Sequence, residues 1–165
     1  MRLAETAYDN AETGCCARLD GARWDGRELT WQEKPFIAAR VHAFLHAPLD
    51  YGRAMKRAQR AVEAAAAYPE EPLWLTDETS PWGATLYVAV DRPVPGARPA
   101  TLSGTFLTQV FEGPYRDAPR WVTAMHAHLA GRGLTAKRIL MYYATCPRCA
   151  ARFGRNASVL FAQFA

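Results

Sequence analysis

From residue 35 to residue 46 the apolar side chains alternate. Ile37, Ala39, Val41, Ala43 and Leu45 share one face, and Phe36 and Phe44 the other. A period of two over this length predicts a strand. Pro48 suits a first helical turn, where its missing N–H costs nothing. Tyr51, Ala54, Met55, Ala58, Ala61, Val62 and Ala65 then recur at i, i+3, i+4 spacing, the pattern of an amphipathic helix, which Pro69 would stop. Strands are predicted over residues 73–76 and 84–90, with the turn-forming stretch 77–83 between them.

The second half repeats this order. Residues 102–112 read as a strand and Asp117 as a helix N-cap. Trp121, Val122, Met125 and Leu129 make an apolar stripe that Gly131 or Gly133 ends. Strands follow over 138–145 and 158–164, with a loop over 146–156. The junction at Phe44–Leu49 aligns with that at Val110–Tyr115. The expectation is one α+β domain: an N-terminal arm (1–34), a first strand-helix-strand-strand repeat (35–91), a linker (92–100) rich in proline, and a second repeat (101–165). Paired about a pseudo-twofold, the repeats would form an antiparallel sheet with two main helices on one side and a concave cleft on the other.

Composition adds little to this picture. The 165 residues are 50% hydrophobic and 22% charged, ordinary for a globular chain. Of the 20 cationic side chains 17 are Arg, and the net charge of +4 is spread thinly, so no nucleic-acid partner is expected. The cluster Arg53, Lys56, Arg57 and Arg60 lies opposite the apolar helix face and reads as solvated surface. No apolar run reaches the roughly 18–20 residues of a membrane span, and residues 1–10 lack the apolar core of a signal peptide. A cytoplasmic protein with no membrane partner is expected. No phosphate-binding glycine loop or serine-hydrolase elbow is present.

The stretch from Leu102 to Tyr115, ending in Phe111-Glu112-Gly113-Pro114-Tyr115, resembles the GyrI-like small-molecule-binding superfamily. Thr13-Gly14-Cys15-Cys16, Trp82-Gly83 and Thr145-Cys146-Pro147-Arg148-Cys149 narrow the resemblance to a bacterial group of small proteins described as hydrolases, over essentially the whole chain. The resemblance implies a cleft for an apolar or cationic small molecule, lined by aromatic side chains and often holding an acid. Glu112 stands where many relatives carry a His, and residues 159–164 hold no Glu, which ring-opening relatives tend to carry. That mechanism therefore does not transfer directly.

Glu112 is the candidate acid. On an unbroken strand it shares a face with Phe106 and Val110, where desolvation would raise its pKa and equip it as a general acid or base, or as counter-ion to a cationic ligand. The competing reading is a surface Glu at a helix entry. His46 occupies the equivalent junction of the first half and would pair with Glu112 across the cleft to activate water, or else simply cap a strand end. Trp82, Tyr115, Phe106, Tyr87 and Tyr143 are the candidate ligand contacts. Trp31, Trp74 and Trp121 read as core. Tyr142 and Tyr143 point to opposite faces of one strand, so only one of them can face a cleft.

The four cysteines fall into two clusters, Cys15-Cys16 and Cys146-x-x-Cys149. Together they could hold zinc, tying the arm to the last hairpin. Adjacent extended residues point apart, so a three-cysteine site is as good a reading as a closed one. Reduced thiols, thiol redox chemistry and a disulfide between the clusters, which a cytoplasmic setting disfavours, remain the alternatives. Two functions stay open: a hydrolase using Glu112, and a non-enzymatic small-molecule sensor or sequestering protein with a structural zinc.

Overall fold

The computed structural model describes residue 19 and residues 21–145, 147–154 and 156–165, without the side chains of Thr79, Pro147, Arg148 and Phe153. It is an antiparallel β structure carrying a few helices, an α+β fold. The chain divides into two compact units. One is Gln32–Ser103; the other holds the described residues up to Trp31 together with Gly104–Ala165.

In the first unit, β1 (Arg27–Phe44) is followed by β2 (Ala47–Pro48), α1 (Tyr51–Ala64), β3 (Trp74–Ser80) and β4 (Gly83–Ala89). The strands lie in the order β2-β1-β4-β3. Ile37 pairs with Val88, Ala39 with Leu86 and Val41 with Ala84. Cross-strand partners share a face, so these six form one apolar surface. Helix α1 covers it with Ala54, Ala58 and Val62, all buried. Alanine at two of these three positions lets the helix approach the sheet closely.

Several boundaries differ from the sequence reading. Strand β1 begins at Arg27 rather than 35: among Arg27–Lys34 only Leu29 and Trp31 are apolar, too few to show a period, and Glu33 takes a left-handed φ of 48° before Pro35. Pro48 pairs with Ala43 in β2 instead of opening the helix. Asp50 occupies the N-cap position of α1, but its carboxylate does not cap. It accepts instead from the His42 backbone N–H at 2.7 Å and lies 2.8 Å from His42 Nδ1. These hydrogen bonds from the His42 side chain and backbone hold the Asp50 carboxyl below its usual pKa.

Helix α1 stops well before Pro69. Ala66 takes a left-handed φ of 49°, Ala66 N–H donates to Glu63 C=O and Ala67 N–H to Val62 C=O. These paired bonds satisfy the last helical carbonyls. The stretch 77–80, expected as turn, extends β3, leaving Pro81-Trp82 as a tight connection to β4. The pairing register shifts between Asp77 and Ser80.

The second unit contains β5 (Arg98–Glu112), which begins in the first, a 3₁₀ turn (Tyr115–Asp117), α2 (Ala118–Gly131), β6 (Arg138–Tyr143), α3 (Pro147–Phe153) and β7 (Ala157–Gln163). Strand β7 is the middle strand of the order β6-β7-β5 and is buried along nearly its whole length. Leu107, Met141, Leu160 and Ala162 face α2, which contributes Trp121, Met125 and Leu129. On the opposite face Trp31 packs against Phe106 at 4.8 Å and Phe161 at 5.8 Å between ring centroids, and Trp24 lies 5.4 Å from Phe161. The helical turn Gly21–Trp24 is tied to β5 by Thr108, whose hydroxyl donates to Trp24 C=O and whose C=O accepts from Gly26 N–H at 2.9 Å.

Asp117 stands at the predicted N-cap of α2, though its side chain makes no capping bond. Gly133, with φ 72°, closes the helix by the same paired bonds that end α1. The expected loop 146–156 contains α3 instead, a helix too short to show periodicity in sequence.

Candidate functional site

Within the first unit, a recess opens where the start of α1 meets the ends of β1, β3 and β4. Val41, Ala43, Pro48 and Ala84 give it apolar walls; His46, Tyr51, Thr76, Glu78 and Ser80 supply polar groups. Counting its open mouth it holds about 280 Å³, and it narrows to a space that fits a single water molecule.

The local chain explains each polar group. His46 lies in the β1–β2 turn, where Phe44 pairs with Ala47 across a two-residue connection. Both central residues are left-handed, Leu45 at φ 48° and His46 at φ 68°, the combination of a type I′ turn. Such turns favour Asn and Gly, so leucine and histidine here carry backbone strain. His46 N–H donates to Pro81 C=O at 3.0 Å, and Ala43 N–H to Trp82 C=O at 3.0 Å, joining this turn to the β3–β4 connection. Tyr51 is the first residue of α1, and its ring packs with Val41, Ala54 and Leu86.

Burial pushes the Tyr51 phenol up to about 12, with the Glu78 charge adding to the rise and the Thr76 hydroxyl opposing it. Tyr51 is therefore a proton donor throughout the neutral range. Thr76 is almost fully buried, and its Oγ1 completes no hydrogen bond of ordinary geometry. The recess is thus bordered by residues that carry a phenol, a hydroxyl, a carboxylate and an imidazole, with the Tyr51 phenol close enough to Thr76 and Glu78 to feel both.

Of the residues singled out in the sequence, His46 lines this recess. Trp82 lies at the tip of the neighbouring turn, is 57% exposed, and meets Phe44 edge-on at 5.9 Å. Tyr87 packs against Phe36 at 6.2 Å. In the second unit, Tyr115 and Tyr143 meet edge-on at 5.1 Å. Tyr143 packs on the α2 side and Tyr142 stands against Trp24 on the other.

Two expectations are corrected. Phe106 is a fully buried core residue beneath Trp31, so it presents no surface to a ligand. Glu112 keeps the strand parity of Phe106 and Val110 through an unshifted register, yet it lies at the strand end and is exposed, so the anticipated desolvation is absent.

Tyr51 and Thr76 were missed, and Glu78, with Asp77, reads in the sequence equally as a turn residue or as a partner for a basic residue or ligand. Tyr51 fits the apolar helical stripe, and Asp77 to Ser80 reads as turn. The signal available was Tyr51 itself, a hydroxyl at the first position of a buried stripe.

Cys149 is buried in α3. Cys15, Cys16 and Cys146 lie outside the described residues. Among the described residues no group of three or more His, Cys, Asp and Glu could hold a metal ion, so these residues alone do not form a zinc site. No helix among them is long and apolar enough to cross a membrane.

The model of the family described as "Bacterial hydrolase" matches residues 6–164, and the chain belongs to that family. Solved structures share the fold. An uncharacterized conserved protein from Listeria innocua superposes with a TM-score of 0.65 at 12% identity, over 86% of this chain and 92% of that one. A hydrolase from Listeria innocua gives 0.61 at 13% identity over the same shares. No curated protein matches the chain.

Proposed function

We propose that the chain hydrolyses a small apolar or cationic molecule at the recess beside the start of α1. The observation that carries this reading is that Glu78, Tyr51 and Thr76 line one small recess and act on one another there. Glu78 removes a proton from water as its oxygen attacks the electrophilic centre, then returns that proton to the leaving group. The Tyr51 and Thr76 hydroxyls donate to the oxygen that gains negative charge. His46, fixed by its strained turn, borders the mouth and orients the substrate. The apolar walls favour an apolar body, and the Glu78 charge favours a cationic one.

This reading moves the acid from Glu112 to Glu78, and a paired substitution decides between them. In a screen of chromogenic esters, lactones and epoxides, Glu78→Gln should lose about a hundredfold or more in kcat, while Glu112→Gln keeps it. The opposite pattern would return catalysis to the strand-end acid, and loss in neither would favour a sensor or sequestering protein without turnover. The successions β1–α1–β3–β4 and β5–α2–β6–β7 support a tandem repeat of GyrI-like type. The four-cysteine zinc clamp stands as a separate proposal, and no catalytic step depends on it.

A further inference from the structure

The four large apolar side chains most exposed among the described residues are not scattered. Phe44 (58%), Leu45 (63%), Leu49 (67%) and Trp82 (57%) all lie at one end of the first unit. They occupy the β1–β2 turn, the approach to α1 and the β3–β4 turn, which the two hydrogen bonds described above hold together. Segregation of this kind marks an interaction surface.

Its shape and charge narrow the partner. The side chains crown adjoining turn tips, which project, whereas small-molecule sites are concave. A protein partner would need roughly 800 Å² per side, more than four side chains on two turns supply. Cations surround the tips. The Arg40 guanidinium lies beside Gly83, next to Trp82, and Arg53, Lys56 and Arg57 are exposed on the first turns of α1 just after Leu49. Of the nearby acids, Asp50 is held by His42, Glu78 lines the recess and Asp77 is partly buried. Tryptophan, phenylalanine and leucine rimmed by arginine and lysine suit a surface that is apolar inside and anionic at its face.

We propose that this end of the first unit docks on anionic lipid bilayers, with Trp82, Phe44, Leu45 and Leu49 entering the interface and Arg40, Arg53, Lys56 and Arg57 meeting the headgroups. This departs from the sequence-based expectation of no membrane partner, and it stands without the hydrolytic reading. The recess shares its turns with the docking surface, so docking would present its mouth to molecules dissolved in the bilayer.

The test is co-sedimentation of the full chain with vesicles of 70% phosphatidylcholine and 30% phosphatidylglycerol, beside vesicles of phosphatidylcholine alone. Binding to the anionic vesicles is expected, falling steeply with salt. The Arg53→Gln, Lys56→Gln, Arg57→Gln triple variant should bind about a hundredfold more weakly, roughly fivefold per charge. Leu45→Ser with Leu49→Ser should also release it, and brominated acyl chains should quench a fluorescence component missing from Trp82→Phe. No anionic-vesicle binding, or binding untouched by both sets of substitutions, overturns the proposal. So does a dimer in lipid-free solution that Leu45→Ser with Leu49→Ser dissolves, which would make the patch a self-association face. Tighter binding to a DNA duplex than to the anionic vesicles would overturn it as well.

Discussion

Tyr51 shows how one atom changes what a side chain is for. Its ring does what the helical stripe predicts and packs under the sheet, while its hydroxyl arrives beside Thr76 and Glu78. Burial favours the neutral phenol, so its pKa rises from 10.0 to about 12. A group raised in the folded state contributes stability that is complete below the unfolded value and lost as pH climbs to the folded one. Between pH 10 and about 12 the chain should therefore lose roughly 3 kcal/mol that Tyr51→Phe does not lose, read as the difference between their urea midpoints across that window. Equal alkaline losses would mean the phenol is not buried as described. His46 was legible as a junction residue, but its backbone strain was not, because a left-handed histidine leaves no mark in composition. Glu78 was hidden by its neighbours: Asp-Glu-Thr-Ser is poor strand sequence, and only pairing with β4 makes it one.

The two long helices end by the same device with different residues. Helix α2 closes through Gly133, which adopts a left-handed φ without penalty, and α1 through Ala66, which does not. Ala66→Gly should accordingly stabilise the chain by about 0.5–1 kcal/mol, the left-handed strain relieved less the entropy that glycine adds to the unfolded state. A lower denaturation midpoint would show that Ala66 carries packing worth more than its strain. Both helices were legible because their apolar stripes repeat over several turns. Helix α3 was not, since a seven-residue helix completes barely two turns. The first eight residues of β1 were not legible for another reason: Arg27–Lys34 is mostly exposed and holds only Leu29 and Trp31 as apolar side chains, so it is strand by virtue of its partners.

For the molecule as a whole, the α+β class and the hydrolase family follow from the chain, and the proposed chemistry occupies a small part of it. The cysteines offer a separate handle. If Cys15, Cys16, Cys146 and Cys149 form the proposed clamp, protein purified under reducing conditions should carry about one zinc per chain, and removing it should lower the melting temperature. Metal-free protein of unchanged stability would leave the buried Cys149 as a small apolar core residue.

Strand β7 sets an order on how the molecule can be made. Every strand of the first unit has left the ribosome once Ser103 has, so that unit has its partners in hand early. The second does not: β5 and β6 are both zipped to β7 and not to each other. Until Ala157–Gln163 emerges, β5 and β6 must wait without the strand that separates them, across the synthesis of all the intervening helices. Nascent chains stalled before β7 are thus the forms most exposed to misassembly, and the ones a chaperone would be called on to hold.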